Sequence, residues 1–268
     1  MYMHRANNFI TFLGTGNAHA IRCYNTCFTL HSQGQVQLMV DAGGGNGVLA
    51  QLERAGIKVE EIQDLFVTHA HTDHLLGCIW MMRMALQYHC TLRIWSHRKV
   101  LDLLTYICCR ILPSKEAEGI GSLVSMHSLK DGDEFSVGDI RLQCFDIHSN
   151  KEIQYGFTAQ LPDGQRLCCL GDEPYSPLCR KYVEGVDWLM SEAFCLYEDR
   201  ERFRPYEKNH STVLDAACLA EELRVKNLIL YHTEDQTLEN RRERYTAEAK
   251  SAFGGRVIVP EDLERIEL

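Results

Sequence analysis

The sequence predicts an α/β chain folded as a four-layer αββα sandwich, and three observations lead there. Strand and helix patterns alternate in both the first and the last thirds, the middle is strand-rich at close spacing, and no repeat or Pro/Gly/Ser-rich linker divides the chain. Alternation on either side of a strand-rich middle fits two sheets packed face to face with helices outside. At 268 residues the chain can bury a substantial core, and residues 1–268 read as one domain.

Taken in order, "FITFL" (9–13), "TCFTL" (26–30) and "VQLMVDA" (36–42) are β-rich segments separated by glycine and polar breaks. "GGGNG" opens the helical stretch "VLAQLERAG", which Gly56 should end. "IQDLFVTH" reads as a buried strand, "LLGCIWMMRMALQYH" as a very apolar helix, "TLRIWS" as a strand and 97–111 as a further helix. The apolar helix is expected to pack on a sheet, with a homodimer through the same face as the open alternative. Between 122 and 171 come the strands "LVSMHSL", "EFSVGDIRLQCFDI", "IQYGFTAQL" and "QRLCCLGD", the last two joined as a hairpin by "LPDGQ". The strand "VDWLMSEAF", the helix "STVLDAACLAEEL", the strand "KNLILYH" and a charged helix over 237–252 complete the expected elements.

Bulk properties exclude several classes. The longest apolar runs fall far short of a membrane span, and "MYMHRANN" has no cationic segment leading into an apolar one, which predicts a cytoplasmic protein with no membrane partner. Twelve scattered cysteines without a CxxC read as reduced, mostly buried thiols. A formal charge of -9 lacks the basic footprint of a protein that grips long nucleic acid.

The chemistry concentrates in "THAHTDH" (68–74). In an extended segment His69 and His71 point to the same side, so both imidazoles can chelate one ion. Asp73 and His74 follow at the turn into the next helix, where a second ion could sit beside the first. His148, Asp172 and His232 each end a predicted buried strand, the edge where open sheets build sites.

"HAHTDH", His148, "GD" at 171–172 and "YH" at 231–232 together resemble the metallo-β-lactamase superfamily of binuclear hydrolases. "FITFLGTGNA", "MSEAF" and "NHSTVLDAACLAEELRVKNLILYH" are similar to segments of ribonuclease Z and related phosphodiesterases within it. The resemblance implies the metallo-β-lactamase-like sandwich, with His69, His71 and His148 on one ion, Asp73, His74 and His232 on the other, and Asp172 bridging. Such ligands suit two divalent ions, zinc before manganese or iron. It further implies hydrolysis of a phosphodiester by metal-activated hydroxide, which Asp73 orients as well as binding metal. His210 would stabilise the transition state and protonate the leaving oxygen, held in orientation by Glu192.

Departures from the ribonuclease Z pattern bear on substrate. Asp172 follows His148 by only 24 residues, filled by two strands and a turn, so the flexible arm with which those enzymes grip tRNA has no room. Position 24 is tyrosine where an arginine is usual, and "TEDQT" after His232 also departs. The expectation is a small or cyclic phosphodiester, or an RNA end, with thioester, lactone or sulfate-ester hydrolysis as one alternative and a non-catalytic metal sensor or scaffold as another. "DAGGGNG" places Asp41 where the superfamily supports its site, although a tight strand-to-helix connection explains it equally. His19, and the cations of "YEDRERFRPYEKNH", are weaker candidates for contacting substrate.

Overall fold

In a computed structural model that describes residues 8–268, the first half contains β1 (Phe9–Gly14), β2 (Cys27–Ser32), β3 (Gln35–Val40), α1 (Gly47–Ala55), β4 (Asp64–Phe66), α2 (Thr72–Tyr88), β5 (Leu92–Ser96), α3 (Arg98–Ile111) and α4 (Ser114–Ala117). Next come β6 (Val124–Ser128), β7 (Glu134–Val137), β8 (Ile140–Asp146), β9 (Tyr155–Gln160) and β10 (Arg166–Cys169). The remainder is α5 (Arg180–Val183), β11 (Trp188–Glu192), α6 (Arg200–Phe203), α7 (Val213–Glu222), β12 (Asn227–Tyr231), α8 (Arg241–Ala252), β13 (Arg256–Ile258) and β14 (Arg265–Glu267). The segment read as carrying no leader falls almost wholly outside the described residues.

Two seven-stranded sheets run β14-β1-β2-β3-β4-β5-β6 and β13-β12-β11-β10-β9-β8-β7. Alternating side chains from both bury Phe12, Phe28, Val40, Leu142, Phe157, Met190 and Tyr231 in one core between the sheets. A second core packs α1, α2 and α3 on the first sheet through Leu52, Leu75, Met81, Leu86 and Leu104. A third sets α5, α7 and α8 on the other sheet through Val183, Ala217, Leu228 and Tyr245. The four layers are the αββα sandwich that the sequence predicted.

Local chemistry accounts for most boundaries. Gly56 closes α1 in a left-handed conformation, at φ 70°, as its position implied. Thr212 and Asp215 form a capping box that starts α7. The long segment "EFSVGDIRLQCFDI" is a hairpin rather than one strand, because Gly138 turns the chain at φ 53° and pairs Val137 with Ile140. The charged helix begins at Arg241, four residues later than read. Strands β13 and β14, beyond the last predicted element, extend the two sheets by pairing with β12 and β1. Core burial accounts for most of the apolar face of α2, leaving Ile79 and Trp80 partly covered. The twelve cysteines are free thiols, most of them buried, and among the described residues no helix is long and apolar enough to cross a membrane.

Candidate metal centre

The site lies where C-terminal strand ends of both sheets meet. Asp41 directly follows β3, His69 and His71 follow β4, and Asp73 and His74 occupy the first turn of α2, where a carboxylate is favoured by the helix dipole. Helix α2 can approach this closely because residue 77 is glycine. A Cβ there would stand 1.8 Å from the Ala42 carbonyl oxygen. The Gly77 N–H donates to Gly43 O at 2.8 Å and the Ala42 N–H to His74 O at 3.1 Å, fastening the helix start to the turn after β3. The glycine run itself seats Tyr24: a Cβ at Gly43 or Gly47 would meet its ring at 2.4 or 2.6 Å, and its hydroxyl donates to Ala42 O and Gly45 O at 3.0 Å. The run therefore serves close packing, as does Gly14, whose Cβ would strike Asn25 O at 2.2 Å.

Three imidazoles are held from behind by their Nδ1 atoms. Asp41 Oδ2 accepts from His74 Nδ1 at 2.7 Å. Thr68 Oγ1 donates to Asp41 Oδ2 at 2.8 Å, so it accepts from His69 Nδ1, 2.9 Å away. Thr26 Oγ1 donates to Gly16 O at 3.0 Å and so accepts from His232 Nδ1 at 3.1 Å. Each ring thereby presents Nε2 to the same interior, the outer-partner arrangement of metal-ligating histidines. Asp172 stands among them, with Oδ2 3.5 Å from both His74 Nε2 and His232 Nε2 and Oδ1 3.7 Å from His69 Nε2.

Among the described residues, three groups of atoms that could bind a metal each lie within 4.8 Å of one another: His69, His71 and Asp172; Asp73, His74 and His232; and Asp172, His210 and His232. His74 Nε2 is buried without a hydrogen-bond partner, 3.3 Å from Asp73 Oδ2. A buried nitrogen left unsatisfied costs about 1–3 kcal/mol, and a cation among these carboxylate and imidazole atoms would satisfy it. The residues therefore fit divalent ions of the zinc class.

Electrostatics agree. Burial lowers His69 far below the usual histidine range and His232 to about 3, favouring the neutral rings that bind metals. Burial opposes ionisation of Asp73 and Asp172, yet the surrounding imidazoles hold both well below the ordinary carboxylate value. Burial also works against charging His74, but Asp73 and Asp41 outweigh it and raise its pKa, so the pocket attracts positive charge at that ring.

His148 does not join the six other expected ligands. It is exposed, at φ 60°, on the turn after β8, where its own N–H donates to Asp146 Oδ1 at 2.7 Å and directs the chain outward. Gln154 lies in the interior instead, its amide nitrogen 2.9 Å from His69 Nδ1 and donating to Asp172 Oδ1. Sequence offered no signal for Gln154, whereas Thr68 lay inside the motif itself.

An open cleft of about 410 Å³ leads to the centre, lined by Asn17, His19, His71, Asp73, Phe194 and His210 among others. His210 stacks on Phe194 with centroids 5.0 Å apart, and its Nδ1 lies 3.6 Å from Glu192 Oε2. That is an ion-pair contact rather than a full hydrogen bond. Burial lowers the pKa of His210, but the facing carboxylate more than offsets this and the net shift is upward. Glu192, the last residue of β11, is fully buried and shifted upward by burial, and Ser211 Oγ donates to its other oxygen at 2.6 Å. His19 lines the cleft from an exposed loop. Of the cations in 197–210, Lys208 lines it, while Arg200 lies over Tyr197, Arg202 bonds Gln236 and Arg204 faces Glu207.

Comparison with known proteins places this geometry. A family model described as anti-Pycsar protein Apyc1 matches residues 9–252. A curated ribonuclease Z from Brevibacillus brevis is 25% identical over 310 residues, covering 91% of this chain and 92% of the relative. Among solved structures, the metallo-β-lactamase fold protein YhfI from Bacillus subtilis superposes with a TM-score of 0.76 at 19% identity, covering 98% of this chain and 100% of that one. The short form of human tRNase Z gives 0.74 at 21% identity, over 97% and 98%. The chain is a metal-dependent hydrolase of the metallo-β-lactamase superfamily, ribonuclease Z-like, and belongs to the family of the anti-Pycsar protein Apyc1.

Proposed function

We propose that the chain hydrolyses a small or cyclic phosphodiester, or an RNA 3′ end, at a binuclear centre within a single domain. One ion would be held by His69 and His71, the other by Asp73, His74 and His232, with Asp172 between them. The observation that carries this reading is the set of three outward-anchored imidazoles presenting Nε2 around Asp172, with His210 on the cleft side of the same group. Two divalent ions so held would supply a nucleophile near neutral pH and would neutralise the oxygens of a phosphodiester.

The protein's own groups supply the rest. Asp73 orients the attacking group from the first turn of α2. His210, stacked on Phe194 and faced by Glu192 at Nδ1, would hold the proton that the leaving oxygen needs. Glu192 is a positioning residue, buried behind His210 and itself fixed by Ser211. A purely structural metal site has no use for such a histidine at its open side, which favours catalysis over a sensor or scaffold.

The size of the cleft and the net charge of -9 favour a small substrate over precursor tRNA. Metal-replete protein should be assayed against bis(p-nitrophenyl) phosphate, cyclic nucleotides, short RNA 3′ ends, thioesters, lactones and sulfate esters. Turnover of a phosphodiester above the other bonds is expected. Thioester, lactone or sulfate-ester hydrolysis without phosphodiester hydrolysis would replace this reading with one of its alternatives.

A further inference from the structure

The charge at the mouth of the cleft is arranged by residues outside the imidazole group. Lys151, on the turn between β8 and β9, lines the cleft, and so does Lys208, two residues before His210. Glu173 directly follows Asp172 and is 3% exposed, and it ties both loops together. Its Oε1 lies 2.8 Å from Lys151 Nζ, and its Oε2 accepts from Asn209 Nδ2. Asn209, at φ 55°, connects Lys208 to His210. Lys208 Nζ rests 4.7 Å from the centroid of Phe194, the ring on which His210 stacks, and has no carboxylate partner among the described residues.

One buried carboxylate thus fixes the span between two loops, and each loop brings an ammonium group to the cleft. An ammonium group is a compact point charge suited to phosphate oxygens. The Lys151 side chain is 30% exposed, so it can exchange water for a ligand without leaving Glu173. Lys208 is held over an aromatic face and is not neutralised by an acid. Among the described residues no other buried acid is seen to contact both loops, and Glu173 has no part among the proposed metal ligands.

We infer that Lys151 and Lys208 bind the anionic oxygens of the substrate phosphodiester. Glu173 acts as the positioning residue, setting Lys151 directly and the loop of Lys208 and His210 through Asn209. This rests on the phosphodiester reading above.

The test uses the full metal-replete chain with K151Q, K208Q, E173Q and the K151Q/E173Q double variant, all at matched metal content. Steady-state hydrolysis of bis(p-nitrophenyl) phosphate is measured across ionic strength, and inorganic phosphate binding by calorimetry. Each lysine variant should raise KM about three- to tenfold, the range for one partly exposed charge-assisted contact, with less effect on kcat. The salt dependence of kcat/KM should weaken and phosphate affinity should fall by a similar factor. E173Q should raise KM at least as much as K151Q, and the double variant should match E173Q, because Glu173 acts through Lys151 and also through the Lys208 loop. KM, phosphate affinity and salt dependence within twofold of wild type in both lysine variants would overturn the anion-binding role. An unchanged E173Q would overturn the positioning role. A wild-type protein that hydrolyses no phosphodiester refutes the functional reading instead, and the phosphate titration then decides this inference by itself.

Discussion

Replacing Asp41 separates support of the metal centre from general packing. Its carboxylate is 4% exposed and accepts three hydrogen bonds, from Thr68 N at 2.8 Å, Thr68 Oγ1 at 2.8 Å and His74 Nδ1 at 2.7 Å. In Asp41→Ala the Thr68 hydroxyl can rotate, but the Thr68 N–H and the His74 Nδ1–H lose their acceptor in a dry interior. Each such donor costs about 1–3 kcal/mol, so a loss of about 3 kcal/mol is expected, or about 6–12 °C in Tm for a chain of this length. Asp41→Asn retains one acceptor oxygen for Thr68 and should recover part of that loss. It cannot restore the charged partner of His74, so both variants should bind zinc about 10–100-fold more weakly, as for other outer partners of metal-binding histidines. Zinc affinity is read by competition with a chromogenic chelator, and stability by thermal melting with and without chelator. An Asp41→Ala protein with zinc affinity within threefold of wild type and Tm within about 1 °C would refute the claim that Asp41 aims His74.

Gly77→Ala places a methyl group 1.8 Å from a backbone carbonyl, so α2 must lift from the turn that holds Asp41. A destabilisation of about 3 kcal/mol in urea unfolding is expected, with metal content below wild type. His210→Ala should lower kcat on bis(p-nitrophenyl) phosphate by about 10²–10³-fold while elemental analysis shows metal retained, and loss of metal instead would make His210 a ligand. Chelation of the wild-type protein should abolish turnover and lower Tm, and added zinc or manganese should restore both.

The clustering of the motif was legible because it obeys backbone geometry: a two-residue spacing in extended chain brings His69 and His71 together, and a helix start displays Asp73 and His74. The strand-end rule also picked out Asp172 and His232, which the structure brings beside these residues. It failed for His148, since the rule fixes where a strand delivers a residue but not which way the following turn points the ring. Asp41 was suggested by the resemblance, with a tight strand-to-helix connection as an equal reading, because its contacts are with Thr68 and His74, 27 and 33 positions away. Glu173 and Gln154 lay in ordinary sequence, and the packing of separate loops gives them meaning. Strands β13 and β14 are three residues each, too short to show a period of two, and they form by pairing with edges already present.

The two sheets explain why the centre sits where it does. Each has three antiparallel steps followed by three parallel ones, and the pairing changes at the central strand, β3 in one sheet and β10 in the other. Parallel strands bring their C-terminal ends to one edge, so the loops leaving β3 and β4 emerge side by side, as do those leaving β10, β11 and β12. Asp41 leaves β3 and Asp172 leaves β10, so each sheet contributes a carboxylate from its central strand, and imidazoles follow parallel strands: His69 and His71 after β4, His232 after β12. Packing the sheets face to face then brings these ends together, with the Tyr155 N–H donating to Thr68 O at 3.0 Å across the junction. Asp41, at φ 53°, and His232, at φ 57°, leave their strands in a conformation disfavoured for side-chain-bearing residues. That local strain turns Asp41 behind His74 and turns His232 toward Asp172. The fold therefore sets the separation of the two groups of candidate ligands, and short-range backbone geometry sets the aim of each.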